Sequence, residues 1–321
     1  MNRLIRRIDH FQQRHAWLAF PFAVFRKFGD DEGGNLAALV AYYGFFSLFP
    51  LLLVLVSVLG MVLRSHPDLQ QRIIDTALGQ FPVIGEQLRV GSLRGSGTAL
   101  AIGIATALWA GMGVTQAFQN AMNNIWDVPK KGRPNFLKSR FRGLMLLVLL
   151  GAFALAATVV SGIGTTREMV GILRAVGLLG SLALNLALFL LAFRILTDRD
   201  VSWGDILPGA AAAAVLWTVL QSVGSLIVTR QIASAANTYG TFALVIGLLF
   251  WIYLGAQITL LCAEINVVRV RRLWPRSIVQ PPLNEADERT LRTAAKVEER
   301  LPEERVDVAF DEGTVREEKR G

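Results

Sequence analysis

Residues 36–63, LAALVAYYGFFSLFPLLLVLVSVLGMVL, run for 28 positions without a formal charge. A helix rises about 1.5 Å per residue and the hydrocarbon core of a bilayer is roughly 30 Å thick, so about 20 apolar residues are enough to cross it. The stretch therefore reads as a membrane span, and every later apolar run becomes a candidate crossing. Composition agrees: of 321 residues 53% are hydrophobic and only 18% charged, with a mean hydropathy of +0.43, too apolar for a soluble domain of this length.

Five further runs follow, at about 98–118, 143–163, 175–196, 206–229 and 242–266. The expected fold is all-α, a polytopic six-helix transmembrane bundle over 35–268. Residues 1–34 mix Arg3, Arg6, Arg7, Arg14, Arg26 and Lys27 with Ile8, Phe11, Trp17 and Phe22, the composition of an amphipathic helix lying in the headgroup region. Pro21 is expected to break or kink that arm, and 30–34 (DDEGG) to end it. Ile73, Ile74, Ala77, Leu78 and Phe81 recur at helical spacing, so the first loop is expected to hold an amphipathic helix. A loop is expected at 231–241. The stretch 269–321 reads as a basic stop followed by a charged, aromatic-poor tail that is disordered or transiently helical.

The formal charge is +8, but it is unevenly placed: 284–321 carries −4 and 1–283 carries +12. That positive excess borders the apolar runs, which points to anionic phospholipid headgroups and topology rather than to nucleic acid. With six spans, 17 Lys and Arg flank the spans on the side of the two termini and 7 on the other. By the positive-inside rule both termini are expected in the cytoplasm. Cys262 is the single cysteine, so an intrachain disulfide is impossible.

Inside the spans, Pro50 removes a backbone donor and is expected to bend the first helix, with Ser47 or neighbouring helices satisfying the freed carbonyl. Ala99, Gly103, Ala107 and Gly111 form a stripe of small residues that lets a second helix approach closely. The second span ends in Gln116, Gln119, Asn120, Asn123 and Asn124, either a polar vestibule or a helix emerging into water. Asn185, Gln221, Gln257 and Glu264 lie within apolar runs. Polar side chains in hydrocarbon are costly unless they face the bundle or a wet cavity, so with Gln116 and Asn120 they are the candidate polar path. The competing reading is that the amides are interhelical glue and that Glu264 is interfacial.

Three ordered groups of residues carry a resemblance. The first is Ala41-Tyr42-Tyr43 with Ser47-Leu48-Phe49-Pro50. The second is Ala121-Met122-Asn123-Asn124-Ile125-Trp126-Asp127-Val128. The third joins 201–210 (VSWGDILPGA, with Pro208 and Gly209) to Tyr239-Gly240-Thr241-Phe242 and Ala263-Glu264-Ile265-Asn266. Together, over roughly 25–272, they resemble the YihY/virulence factor BrkB family of bacterial inner-membrane proteins, some of which were once labelled ribonuclease BN. The resemblance implies a six-span inner-membrane protein and no settled activity.

Cleaving RNA would need a metal cluster or a paired acid and base. The three histidines, His10, His15 and His66, show no ligand spacing with Cys or carboxylates, and no glycine loop followed by lysine cradles a phosphate. The chain is therefore expected to be no enzyme, to need no cofactor or metal, and to have the bilayer as its partner, with protein partners open. Two functions fit: a transporter or flippase-like protein for a small solute or lipid precursor without its own ATPase, or a non-catalytic scaffold in envelope assembly or virulence.

Overall fold

The computed structural model of the chain describes residues 2–62, 97–163, 172–239, 241–281 and 283–310. Among the described residues there are nine α-helices and no strand: α1 (Asn2–Arg14), α2 (Ala16–Asp30), α3 (Gly33–Val62), α4 (Gly97–Ile125), α5 (Phe136–Ile163), α6 (Ile172–Leu196), α7 (Trp203–Tyr239), α8 (Thr241–Arg271) and α9 (Glu285–Lys296). Helices α3 to α8 each overlie one of the six apolar runs. Four windows among the described residues, Ala101–Ile125, Gly177–Leu196, Trp203–Gln221 and Val245–Arg271, are long and apolar enough to cross a membrane. The amphipathic helix expected around 73–81 and Gly240 lie outside the described residues.

The helices outrun their apolar cores. Helix α4 continues through the Gln and Asn residues to Ile125, α5 begins at Phe136, and α7 extends to Tyr239, so 231–239 is helix where a loop was expected. Hydropathy marks only the part immersed in hydrocarbon, whereas Gln, Lys and Ala continue a helix readily into water.

The N-terminal arm breaks at a different residue from the one expected. The break falls at His15, which is extended between α1 and α2, and Pro21 sits inside α2. Moreover, α1 buries Asp9 and Gln12 while Ile8 and Phe11 stay exposed, and α2 buries Ala19, Ala23, Val24 and Lys27 on one face. The tail differs as well. Residues 284–310, expected to be disordered or transiently helical, include a helix with a full capping box: Asn284 Oδ1 accepts from the backbone of Ala286 (3.0 Å) and Asp287 (2.9 Å), and Asp287 accepts in return from Asn284 N. Its anchor is Arg276, 2% exposed, which donates to Asp287 (2.5 Å), Thr290 (3.2 Å) and Asp30 (2.9 Å).

The chain divides into two compact units. Unit 1 comprises Met1–Ala37, Phe118–Trp217 and Gln257–Gly321; unit 2 comprises Ala38–Ala117 and Thr218–Ala256. In unit 2, α4 buries Gly103 and Gly111 and half-buries Ala107, with Ile102 and Trp109 exposed; a Cβ added at Gly113 would press on the Tyr43 ring. The Ser47 hydroxyl donates to Gly44 O at 2.8 Å. The carbonyl freed by Pro50 is that of Phe46, so Ser47 does not perform the rescue expected of it. In unit 1, α7 and α8 come close together at Gly209, where a Cβ would lie under 3.0 Å from the Cys262 carbonyl and the Asn266 amide. Gly209 N donates to Asn266 Oδ1 at 2.7 Å, and Asn266 is fully buried.

Candidate functional site

Unit 1 contains a buried cluster of charge built from α2, the end of α4 and the end of α8. Lys27 continues the Ala19–Ala23 face of α2, which turns its ammonium inward; the residue is 0% exposed. Its Nζ pairs with Asp31 one turn on, with Asp127 Oδ1 at 3.3 Å, and donates to the Ile125 carbonyl at 3.4 Å.

Asp127 reaches this position through the way α4 ends. Its φ is 45°, in the left-handed region that glycine usually occupies after a helix. The bonds Asp127 N to Asn124 O (2.9 Å) and Val128 N to Asn123 O (2.8 Å) are those of a Schellman cap. Aspartate tolerates this conformation better than most residues, and here its carboxylate bridges two cations. One is Lys27; the other is Arg271 at the end of α8, whose Nη1 lies 2.7 Å from Asp127 Oδ2 while Nη2 donates to the Trp126 carbonyl. Trp126 itself is fully buried, with the Arg199 guanidinium 6.0 Å from its ring centroid.

Glu264 lies seven residues before Arg271, hence on the same face of α8. It is 0% exposed, and neither carboxylate oxygen has a hydrogen-bond donor. Its carboxyl faces that of Asp31 within hydrogen-bonding reach, with the charges of Lys27 and Asp127 close by. Burial pushes the Asp31 carboxyl up to about 6, against the pull of Lys27. Burial alone would lower the Lys27 ammonium, but Glu264, Asp31 and Asp127 together outweigh it and hold Lys27 above its ordinary value. Three carboxyls thus share a dry site with two cations.

The amides at the end of α4 do a different task. Gln119 donates to Ser139 O (3.1 Å) and accepts from its hydroxyl (2.7 Å); Asn123 donates to Asp198 (2.7 Å) and accepts from its backbone (3.0 Å); Asn124 accepts from Arg133 (2.8 Å). Asp198 is also paired with Arg142. These residues brace the connections after α4 and α6. Of the remaining sequence candidates, Asn185 and Gln257 are half-buried and Asn120 exposed in unit 1, and Gln116 is half-buried and Gln221 exposed in unit 2. Among the described residues no group of His, Cys, Asp and Glu is placed to hold a metal ion.

Sequence reasoning singled out Glu264 and missed Lys27, Asp31, Asp127 and Arg271. The usable signals were local: Lys27 four residues before Asp31, and Lys27 in register with Ala19 and Ala23.

Long apolar helices closing over paired charges define the class, an all-α integral membrane protein. More particularly, the chain belongs to the virulence factor BrkB family, whose model matches residues 24–282, a range that holds every member of the charge cluster and stops short of α9. It is 25% identical over 274 residues to the inner membrane protein YhjD of Escherichia coli K12, covering 78% of this chain and 81% of that protein. It is 23% identical over 268 residues to the putative ribonuclease-like protein YfkH of Bacillus subtilis 168, at 79% and 96% coverage. It is 28% identical over 272 residues to the UPF0761 membrane protein Smlt0865 of Stenotrophomonas maltophilia K279a, at 81% and 62%. No solved structure matches.

Proposed function

We propose that this is a six-span protein of the bacterial inner membrane with both termini in the cytoplasm. In this reading it is a transporter or flippase-like protein that moves a small solute or lipid precursor, without its own ATPase and without catalytic chemistry. The observation that carries the reading is the Lys27–Asp31–Asp127–Glu264–Arg271 cluster, charge buried beside helices made for hydrocarbon. Such charge costs several kcal/mol per ion to desolvate, about as much as an apolar replacement would save, so stability alone does not account for it. The name of the E. coli relative supports the compartment. The basic flanks support the orientation.

The test is purified full-length protein in liposomes, assayed for movement of fluorescent lipid precursors and of small anions and cations under pH and potential gradients. Movement above empty liposomes, lowered by Lys27→Met, supports the reading. Absence of movement for every probe overturns it. Reporter fusions at the two ends that appear on opposite faces overturn the topology.

The scaffold reading is favoured by one observation: the segment after α9 is tied down, with Lys130 N and Lys131 N donating to the carbonyls of Val297 (3.1 Å) and Glu299 (2.8 Å), while Leu291 and Leu301 remain exposed. Under it, function is lost with the tail and survives Lys27→Met.

A further inference from the structure

The charges of the cluster do not balance. Asp127 is paired with two cations, Lys27 and Arg271. Lys27 also pairs with Asp31, whose side chain is 6% exposed. Arg271 directs Nη1 to Asp127 and Nη2 to the Trp126 carbonyl, its Nε has no acceptor, and Arg199 is turned to the face of Trp126. Glu264 remains, with no donor on either oxygen and another carboxyl in front of it. If every acid were ionised, these five residues would hold three negative charges against two positive, with side-chain exposure of 6% at Asp31 and 12% at Arg271 and with two carboxylates facing each other. Two facing carboxyls in a dry site resolve this by keeping one proton between them.

We propose that Asp31 and Glu264 form a proton-binding site that holds one proton per chain at neutral pH, bridging the two carboxyls, with Lys27 and Asp127 as the fixed charges around it. The proton supplies the missing donor and makes the five-residue cluster neutral. Among the described residues no three His, Cys, Asp or Glu side chains are placed to hold a metal ion there. The site stands apart from any transport activity, because it follows from contacts within unit 1.

The experiment is infrared spectroscopy of the purified full-length protein in detergent at neutral pH, in H2O and D2O. We expect a carboxylic-acid C=O band equivalent to one group per chain, shifted by D2O and lost in both Glu264→Gln and Asp31→Asn. Because an amide stands in for a protonated carboxyl, Glu264→Gln should keep the wild-type melting behaviour at neutral pH, whereas Asp127→Asn, which strips a carboxylate from two cations, should not. Absence of an acid band in the wild-type protein overturns the proposal, and so does a band that survives both substitutions. A melting temperature that rises with sodium or potassium in wild type but not in Glu264→Gln, without an acid band, would identify a cation site instead.

Discussion

Gly209→Ala is the smallest change with a large calculable consequence. A methyl group there would meet the Cys262 backbone carbonyl and the Asn266 amide at under 3.0 Å, and backbone cannot rotate aside as a side-chain tip can. Forcing an extra methyl into a packed interface costs about 1–3 kcal/mol. Pushing α7 from α8 also breaks the 2.7 Å bond from Gly209 N to Asn266 Oδ1, and orphaning that buried amide adds about 1–3 kcal/mol. The total, about 2–6 kcal/mol, reaches the range where single substitutions become exceptional. Gly29→Ala is the control: it lies in α2 with nothing within 4 Å of its added Cβ, and should be neutral or stabilising by up to about 1 kcal/mol. Heating detergent-solubilised protein and following the monodisperse fraction by size exclusion reads both. If Gly209→Ala melts together with Gly29→Ala, α7 and α8 are not in close contact at Gly209.

Other substitutions probe the rest of unit 1. Arg276→Ala leaves Asp287 buried without its cation and should cost about 3–5 kcal/mol, seen as early proteolysis around α9. Lys130→Ala removes only an exposed pair with Glu298 and should cost under about 1 kcal/mol in the same assay. The pH profile has a definite sign. Burial lifts Asp31 from an ordinary 3.8 to about 6, so folding favours its protonated form. Its contribution to stability is full below about pH 4, declines as pH rises to about 6, and is flat above. Asp31→Asn should abolish that decline in melting temperature; an unchanged slope would assign it to another group.

The long apolar helices were legible because an apolar run longer than a bilayer leaves the backbone no alternative to internal hydrogen bonding. Their ends were not, since α4, α5 and α7 continue through residues that hydropathy counts as loop. Glu264 stood out for its cost in an apolar run. Its partners did not, because Lys27 and Arg271 look like interfacial basic residues and Asp127 like a loop residue; only the fold brings Lys27 and Asp127, 100 positions apart, to one point. The tail misled for a related reason. Composition showed it could not build a core of its own, yet α9 needs none, because Asp287 and Thr290 dock on Arg276.

That docking decides how the scaffold reading must be tested. Deleting 284–321 would remove Asp287 and Thr290 and leave Arg276, 2% exposed, held only by Asp30. Losing the buried Asp287 from that guanidinium costs several kcal/mol, so loss of function in that truncation would report misfolding as readily as lost recruitment. Deleting 298–321 instead keeps the capping box, Asp287 and Thr290, and removes Glu298 and Glu299 with their pairs to Lys130 and Lys131. We expect this shorter truncation to melt within about 1 kcal/mol of the full chain, since the Lys130–Glu298 pair is exposed and the Lys131–Glu299 pair partly so. If it keeps the cellular phenotype as well as the fold, recruitment by the tail is refuted and the charge cluster is left to explain function. If it melts several degrees lower, the segment after α9 is part of the folded unit.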